Sequence, residues 1–236
     1  MEHQSARAVV PLDGRGPLVF ETLHDEPLYL GAVRTLGRVF ESMVIRVEAA
    51  QAERVLAEVS GLGPAVRVLE VGPWWDDVCA VGAGPLLVHD PLCPLTPDDV
   101  VTALLEKAGD GDTSYAAVRP VTDTVKTAAS GRITGTIDRE GLVSLASPTV
   151  IARPVMARAV AEGTPPPLGD LARLVAWLRL RGRVELSHAP SLARRVDDVS
   201  AVHLLECVDE LGRQLRQARR TPAVSAGGPP TPPERA

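Results

Sequence analysis

Short apolar runs alternate with longer amphipathic stretches from residue 6 to about residue 220. Strands that follow one another through helical crossovers lie parallel and carry helices on their faces, so the alternation predicts an α/β fold with a Rossmann-like, mainly parallel sheet. Residues 6–11 read as the first strand, 43–47 as the second, 66–71 as the third, and 85–89 as a buried central strand ending at His89 and Asp90. Further strands are expected at 115–119 and 184–186. Helices are expected at 27–40, 49–60, 97–108, 154–162, 168–180 and 199–219. Asp25 stands where it can cap the first of these, with Pro27 in the first turn, and Thr96 stands where it can cap the third, whose first turn carries Asp98 and Asp99.

Residues 121–145 contain two extended runs about the turn signal Ser130–Gly131, which predicts a β-hairpin projecting from the sheet as an arm. Residues 1–220 are read as one domain. Residues 221–236 are mostly Pro, Gly, Ser, Thr and Ala with almost no large apolar side chain, so they cannot offset their own ordering entropy and are expected to be disordered.

A chain of 236 residues with 45% hydrophobic content can bury one substantial core. Its net charge of −5 supplies no basic field for a nucleic-acid backbone, and no polynucleotide partner is expected. Residues 1–4 begin no charged-then-apolar leader, and no apolar run approaches the roughly 20 residues that span a bilayer. A cytoplasmic protein without a membrane partner is expected. Cys79, Cys93 and Cys207 are too few and too widely spaced for a disulfide framework or a zinc site, and read as buried thiols.

Ligands of an open parallel sheet gather outside the carboxyl ends of its strands, which sets the loop after the first strand, His89–Asp90 and Thr122–Asp123 around one crevice. The sequences there include VHDPLCP at 88–94, PVTDTVK at 120–126 and TIDR at 136–139. Together they resemble the methylerythritol-phosphate cytidylyltransferases of the non-mevalonate isoprenoid pathway, over about residues 6–199. The resemblance implies a sheet of the nucleotide-diphospho-sugar transferase type. It also implies transfer of CMP from CTP to 2-C-methyl-D-erythritol 4-phosphate, with release of pyrophosphate.

The match is uneven. The family follows its first strand with a glycine-rich loop of the form AAGxGxRMGxxxPK that holds the triphosphate. Here the stretch is PLDGRGPL at 11–18, several residues shorter, with Leu18 where the lysine falls. Gly14, Arg15 and Gly16 are the nucleotide-binding candidates that remain, and Asp13 adds a carboxylate that would repel a triphosphate. A second nucleotide-side motif, GGxxRxxSV, is replaced by GPWWDDV at 72–78. Trp74 and Trp75 there are open to two readings, a platform for a base or sugar and a local hydrophobic plug. Asp90 matches the aspartate that the family places near its divalent metal, which makes it the candidate Mg²⁺ ligand and nucleotide-side residue. Cys93 takes the place of that motif's arginine, and His89 reads as structural.

The arm side is better kept. Thr122, Asp123, Thr124 and Lys126 fit the family's VTDTxK segment. Arg139 fits the arginine that reaches the methylerythritol phosphate across a dimer interface, and Ser147 stands for a threonine. Thr122, Asp123, Thr124, Arg139 and Ser147 are therefore the substrate-binding candidates. Asp123, Thr124 and Lys126 are equally placed to pair across the arm. Arg194 is the available stand-in for a lysine of the family's C-terminal segment.

Three functional expectations follow from this pattern. One is a homologue that has lost efficient catalysis and binds CTP weakly or not at all. It would act as a dimer-forming or regulatory pseudoenzyme, through a homodimer joined by the arm or a mixed dimer with an active relative. Another is an active CTP-dependent cytidylyltransferase with Arg15, Asp90, Lys126 and Arg139 as its catalytic set and Mg²⁺ as cofactor. The third is a sensor that binds a phosphorylated metabolite without reacting.

Overall fold

The computed structural model describes residues 6–63, 65–81, 84–109 and 111–220. The expectations for residues 1–4 and for a disordered segment at 221–236 lie outside the described residues. The chain enters the sheet as β1 (Arg7–Pro11), passes through a 3-10 turn (Pro17–Phe20), and forms a small hairpin, β2 (Thr22–Leu23) and β3 (Glu26–Pro27). There follow α1 (Leu28–Gly37), β4 (Ser42–Val47), α2 (Ala49–Val59), β5 (Ala65–Glu70), α3 (Val71–Val81), β6 (Leu86–Val88), α4 (Asp98–Ala108) and β7 (Ser114–Pro120). The arm is β8 (Val125–Ala129) and β9 (Arg132–Ile137). The chain closes with β10 (Val143–Ile151), α5 (Arg153–Glu162), α6 (Leu171–Arg179), β11 (Val184–His188) and α7 (Val199–Arg220).

Seven strands form one sheet in the order β11-β7-β10-β6-β1-β4-β5. All neighbours are parallel except β10, which runs antiparallel to both β6 and β7. Central strands must be apolar on both faces, and β1 shows why. Ala8 and Val10 point into a cluster with α1, α2 and α4, while Val9 points into the opposite cluster with Trp74, Val78 and the buried faces of α5 and α6. A third, smaller cluster joins Leu23 and Leu28 to Val202 and Leu205 of α7. The arm stands apart as its own two-stranded sheet, turning at Ser130 (φ 50°) and Gly131 (φ 74°), and its strands are almost wholly exposed.

Several local expectations change. Asp25 caps nothing: with His24 it makes the positive-φ turn between β2 and β3, and α1 begins after Pro27 without a side-chain cap. Thr96 does not cap α4, because its hydroxyl donates instead to the carbonyl of Cys93. Trp74 and Trp75 lie on α3, a helix absent from the expected set, and α6 starts at Leu171, where Asp170 accepts from the N–H groups of Ala172 and Arg173. The run after the arm continues as β10 into the middle of the sheet. Pro148, which has no N–H to donate, sits where the β10–β7 register shifts between Leu145 and Thr149. Of the three cysteines only Cys93 is buried; Cys79 and Cys207 are exposed.

Gly31 lets α1 approach the loop after β6. A Cβ there would lie 2.4 Å from the carbonyl oxygen of Pro94, which is backbone and cannot swing away. Gly→Ala within a helix normally stabilises by about 1 kcal/mol, but this clash should reverse the sign. Gly31→Ala is expected to cost roughly 1–3 kcal/mol and lower the melting temperature by several degrees, whereas Gly72→Ala in α3, where a Cβ meets nothing within 4 Å, should not.

Candidate functional site

At the carboxyl end of β1 the chain turns through Gly14 (φ 73°) and Gly16 (φ 66°), both in the left-handed region that favours glycine. The turn is packed against protein. A Cβ on Gly14 would stand 2.8 Å from the carbonyl oxygen of Gly169, in the loop before α6. Arg15, between the two glycines, points inward and is buried. Its Nε donates to Asp90 Oδ1 at 2.9 Å, Nη2 donates to the carbonyl of Leu168 at 3.0 Å, and Nη1 donates to the carbonyl of Gly169.

Asp90 has no solvent exposure. Its Oδ1 also accepts from the N–H of Leu92 at 3.1 Å, and its Oδ2 accepts from Arg195 Nε at 3.2 Å. Two arginines from opposite ends of the chain thus neutralise one carboxylate from the end of β6. Burial works against the charge of Arg195, yet the carboxylates of Asp90 and Asp197 outweigh it and hold the guanidinium's pKa above its ordinary value. Burial, with the charge of Asp90 beside it, pushes the Cys93 thiol well up, so it stays protonated.

Behind Asp90 lies Ser147, also fully buried. Its Oγ accepts from the N–H of Asp90 at 2.7 Å and is 2.6 Å from His89 Nδ1. Burial lowers the His89 pKa to about 4 despite the attraction of Asp90, so the ring is neutral at pH 7. Ser147 therefore holds the β6 terminus in place.

A divalent ion at Asp90 would require a carboxylate oxygen turned toward solvent, with water and substrate phosphates completing an octahedron. Both oxygens instead accept from the protein. No group of three or more His, Cys, Asp or Glu residues among the described residues is arranged to hold a metal. The residues present do not fit Mg²⁺ in this arrangement.

Asp13 is not the isolated negative charge that its sequence context suggested. Arg46 of β4 donates to both of its oxygens, with Nε to Oδ1 at 2.7 Å, and the guanidinium carbon lies 4.9 Å from the ring centre of buried Trp74. Trp74 is a core residue beneath this pair; Trp75 packs half-buried beside it, ring centres 5.8 Å apart. Arg46 escaped the sequence reading, although an arginine inside the apolar run MVIRV was the available signal.

A cavity of about 670 Å³ opens between the base of the arm, the start of α6 and the loop before α7. Gly14, Arg15, Thr122 and Asp123 line it, together with Arg119, Arg194 and Arg195. Burial and the nearby Arg194 charge both lower the pKa of Arg119, a sign of crowded cations. Gly16 faces a different hollow, beside Pro17 and Glu48. Thr124 is exposed at the foot of the arm. Lys126 donates to Thr136 across the arm at 2.7 Å, and Arg139 folds back to donate to the carbonyl of Thr122. Arg119 and Arg195 were the cavity cations that the sequence reading missed; for Arg119, its place at a strand's carboxyl end was the available signal.

Three comparisons place this geometry among known proteins. Residues 77–187 match the family profile for 2-C-methyl-D-erythritol 4-phosphate cytidylyltransferase. A protein of that name from Nocardia farcinica is 31% identical over 179 residues, covering 68% of this chain and 76% of its own length. The chain belongs to this cytidylyltransferase family. A relative from Neisseria gonorrhoeae is 34% identical over 96 residues, and there the match spans 42% of the relative's length and 41% of this chain. Among solved structures, the 2-C-methyl-D-erythritol 4-phosphate cytidylyltransferase of Thermus thermophilus aligns with a TM-score of 0.67 at 20% identity, over 86% of this chain and 98% of its own. That likeness establishes the nucleotidyltransferase-type α/β fold.

The buried network yields two expectations. Arg15→Met removes a cation from a carboxylate that stays buried, and should cost about 3–5 kcal/mol, part of which Asp90→Asn in the same chain restores; denaturant melts measure both. As pH falls below about 6.5, the unfolded chain binds a proton at His89 that the folded chain refuses until about pH 4. Stability should therefore decline through that window, by up to roughly 3 kcal/mol from this group. Urea melts between pH 4 and 7 should show a shallower decline in His89→Gln.

Proposed function

We propose that this family member has lost cytidylyl transfer, or retains it only weakly, and acts as a dimer-forming or regulatory protein through its arm. The observation that carries the reading is the state of Asp90, whose two oxygens accept from Arg15 and Arg195. Arg15, the one cation left in the shortened loop, donates all three guanidinium nitrogens to the protein. Nucleotidyl transfer depends on positioned positive charge, and removal of a single such donor typically costs ~10²–10³ in rate. Loss of the loop lysine, with the remaining arginine turned inward, is expected to lower turnover at least that far. The exposed arm, with Lys126 and Arg139 on it, supports a role in joining copies of the chain or in pairing with an intact relative.

The cavity beside the arm favours a second reading, a sensor for a phosphorylated metabolite. Arg119 and Arg194 offer charge to a phosphate there without any need for Asp90 to be free. An active cytidylyltransferase would require Arg15 and Arg195 to release Asp90 on binding CTP and Mg²⁺, with Asp123, Lys126 and Arg139 placing the acceptor.

A pyrophosphate-release assay with CTP, Mg²⁺ and 2-C-methyl-D-erythritol 4-phosphate, run at tens of micromolar protein, separates the readings. The pseudoenzyme reading expects no product above background, and a dimer that weakens when residues 125–137 are replaced by a short turn. Turnover that disappears in Asp90→Ala would overturn it in favour of the enzyme. Thermal stabilisation by 2-C-methyl-D-erythritol 4-phosphate alone, lost in Arg194→Ala and without product, would favour the sensor.

A further inference from the structure

Four arginines line the cavity at the foot of the arm, and two of them are engaged by the protein. Arg15 donates to Asp90 and to the carbonyls of Leu168 and Gly169, and Arg195 donates to Asp90 and Asp197. Arg119, near the end of β7, and Arg194, in the loop before α7, differ. Neither guanidinium donates to, or ion-pairs with, any described residue. The two are neighbours all the same, since burial and then the charge of Arg194 lower the pKa of Arg119. Like charges held side by side repel, and an anion set between them removes the repulsion while filling planar forks that match phosphate oxygens. Ser144 stands opposite Arg119 in the β10–β7 ladder and also lines the cavity. Directly opposed residues share a face of the sheet, so its hydroxyl is a further donor beside that side chain. Of the carboxylates on the lining, Asp170 accepts from N–H groups at the start of α6 and Asp197 pairs with Arg195. Asp123 is left to accept from a hydroxyl of a ligand.

The source of the second cation is where this chain departs from the arrangement that its family likeness implied. That likeness set Arg139 to reach a phosphate across a dimer interface. Arg139 instead donates to the carbonyl of Thr122 in its own chain and is not part of the cavity lining. Arg119 brings from within the main sheet what the arm would otherwise bring from a second copy. We propose that Arg119 and Arg194 together receive a phosphoryl group, with Ser144 as a further donor, and that this anion site is complete within one copy of the chain. The proposal rests on the reading of the cavity as a sensor site and narrows it. The ligand is a phosphomonoester that fits about 670 Å³, and its recognition does not depend on assembly through the arm. β7 is paired on both sides, by β10 and β11. The backbone of Arg119 is therefore fixed before a ligand arrives, which limits the ordering that binding must offset.

Isothermal titration of the full chain with inorganic phosphate and, separately, with 2-C-methyl-D-erythritol 4-phosphate, both without CTP or Mg²⁺, tests it. At least one of the two should give saturable heat. Arg119→Gln and Arg194→Gln should each weaken that binding roughly 10- to 100-fold, the range for losing a hydrogen bond to a charged group. Arg119→Lys should fall between Arg119→Gln and the native chain. Arg139→Gln, and replacement of residues 125–137 by a short turn, should leave the affinity unchanged. Thermal melts of Arg119→Gln and Arg194→Gln without ligand should match the native chain, because neither free guanidinium bonds any part of the fold. Binding unmoved by Arg119→Gln but lost in Arg194→Gln would overturn the assignment of Arg119 and leave the sensor reading in place. Binding lost in Arg139→Gln, or on replacing residues 125–137, would overturn the single-copy site and leave a sensor whose anion is held between two copies. No heat from either probe with the native chain would overturn the proposal and the sensor reading together.

Discussion

The carboxylate of Asp90 is held in the interior by Arg15 from the turn after β1 and Arg195 from the loop before α7, with the N–H of Leu92 completing its shell. A buried carboxylate is tolerated only when its charge and lone pairs are met, and here groups 75 and 105 residues away meet them. The carbonyls of Leu168 and Gly169, which Arg15 also engages, bring in the loop before α6. Four separate connections are thereby tied to one point at the carboxyl edge of the sheet. The position that the fold makes available for a ligand is filled by the protein's own charges.

A similar substitution occurs one strand away. Asp13 and Arg46 neutralise each other over the face of Trp74, so a cation on β4 is directed to a carboxylate of the turn. Arginine suits both places, because its fork satisfies two acceptors at once and its planar face stacks on an indole. The cations that remain directed into open space, Arg119 and Arg194 among them, line the cavity at the foot of the arm. Positive charge on the glycine-turn side of the crevice is engaged by the protein's own acceptors, while on the arm side it lines the cavity, and the arm side is also where the sequence keeps most of its likeness to the family.

The arm and α7 share a physical property that the sheet lacks. Each exposes a surface that a solitary chain has no evident reason to expose: unpaired strand edges and nearly complete exposure in the arm, and an apolar heptad line, Leu204, Val208, Leu211 and Leu215, in α7. Neither contributes to the two main clusters that stabilise the sheet.

By itself the sequence determined the succession of strands and helices, because apolar period and turn residues are local signals. β1, β4, β6, α4 and the turn of the arm fell within a residue or two of their expected places, and the family likeness was legible in VHDPLCP and PVTDTVK. Where local and tertiary demands competed, the tertiary demand won. Asp25 and Thr96 looked like caps, but one is needed in a positive-φ turn and the other bonds a neighbouring carbonyl; the tryptophans were given no element, and burial of Trp74 under Arg46 goes with a helix there. Only the tertiary structure decided that Arg15 faces Asp90 and that Arg195 reaches the same carboxylate. It also decided that Asp13 is neutralised by Arg46. A charged residue's partner is chosen by proximity in space and by the cost of burial, and neither is written in the spacing of residues along the chain.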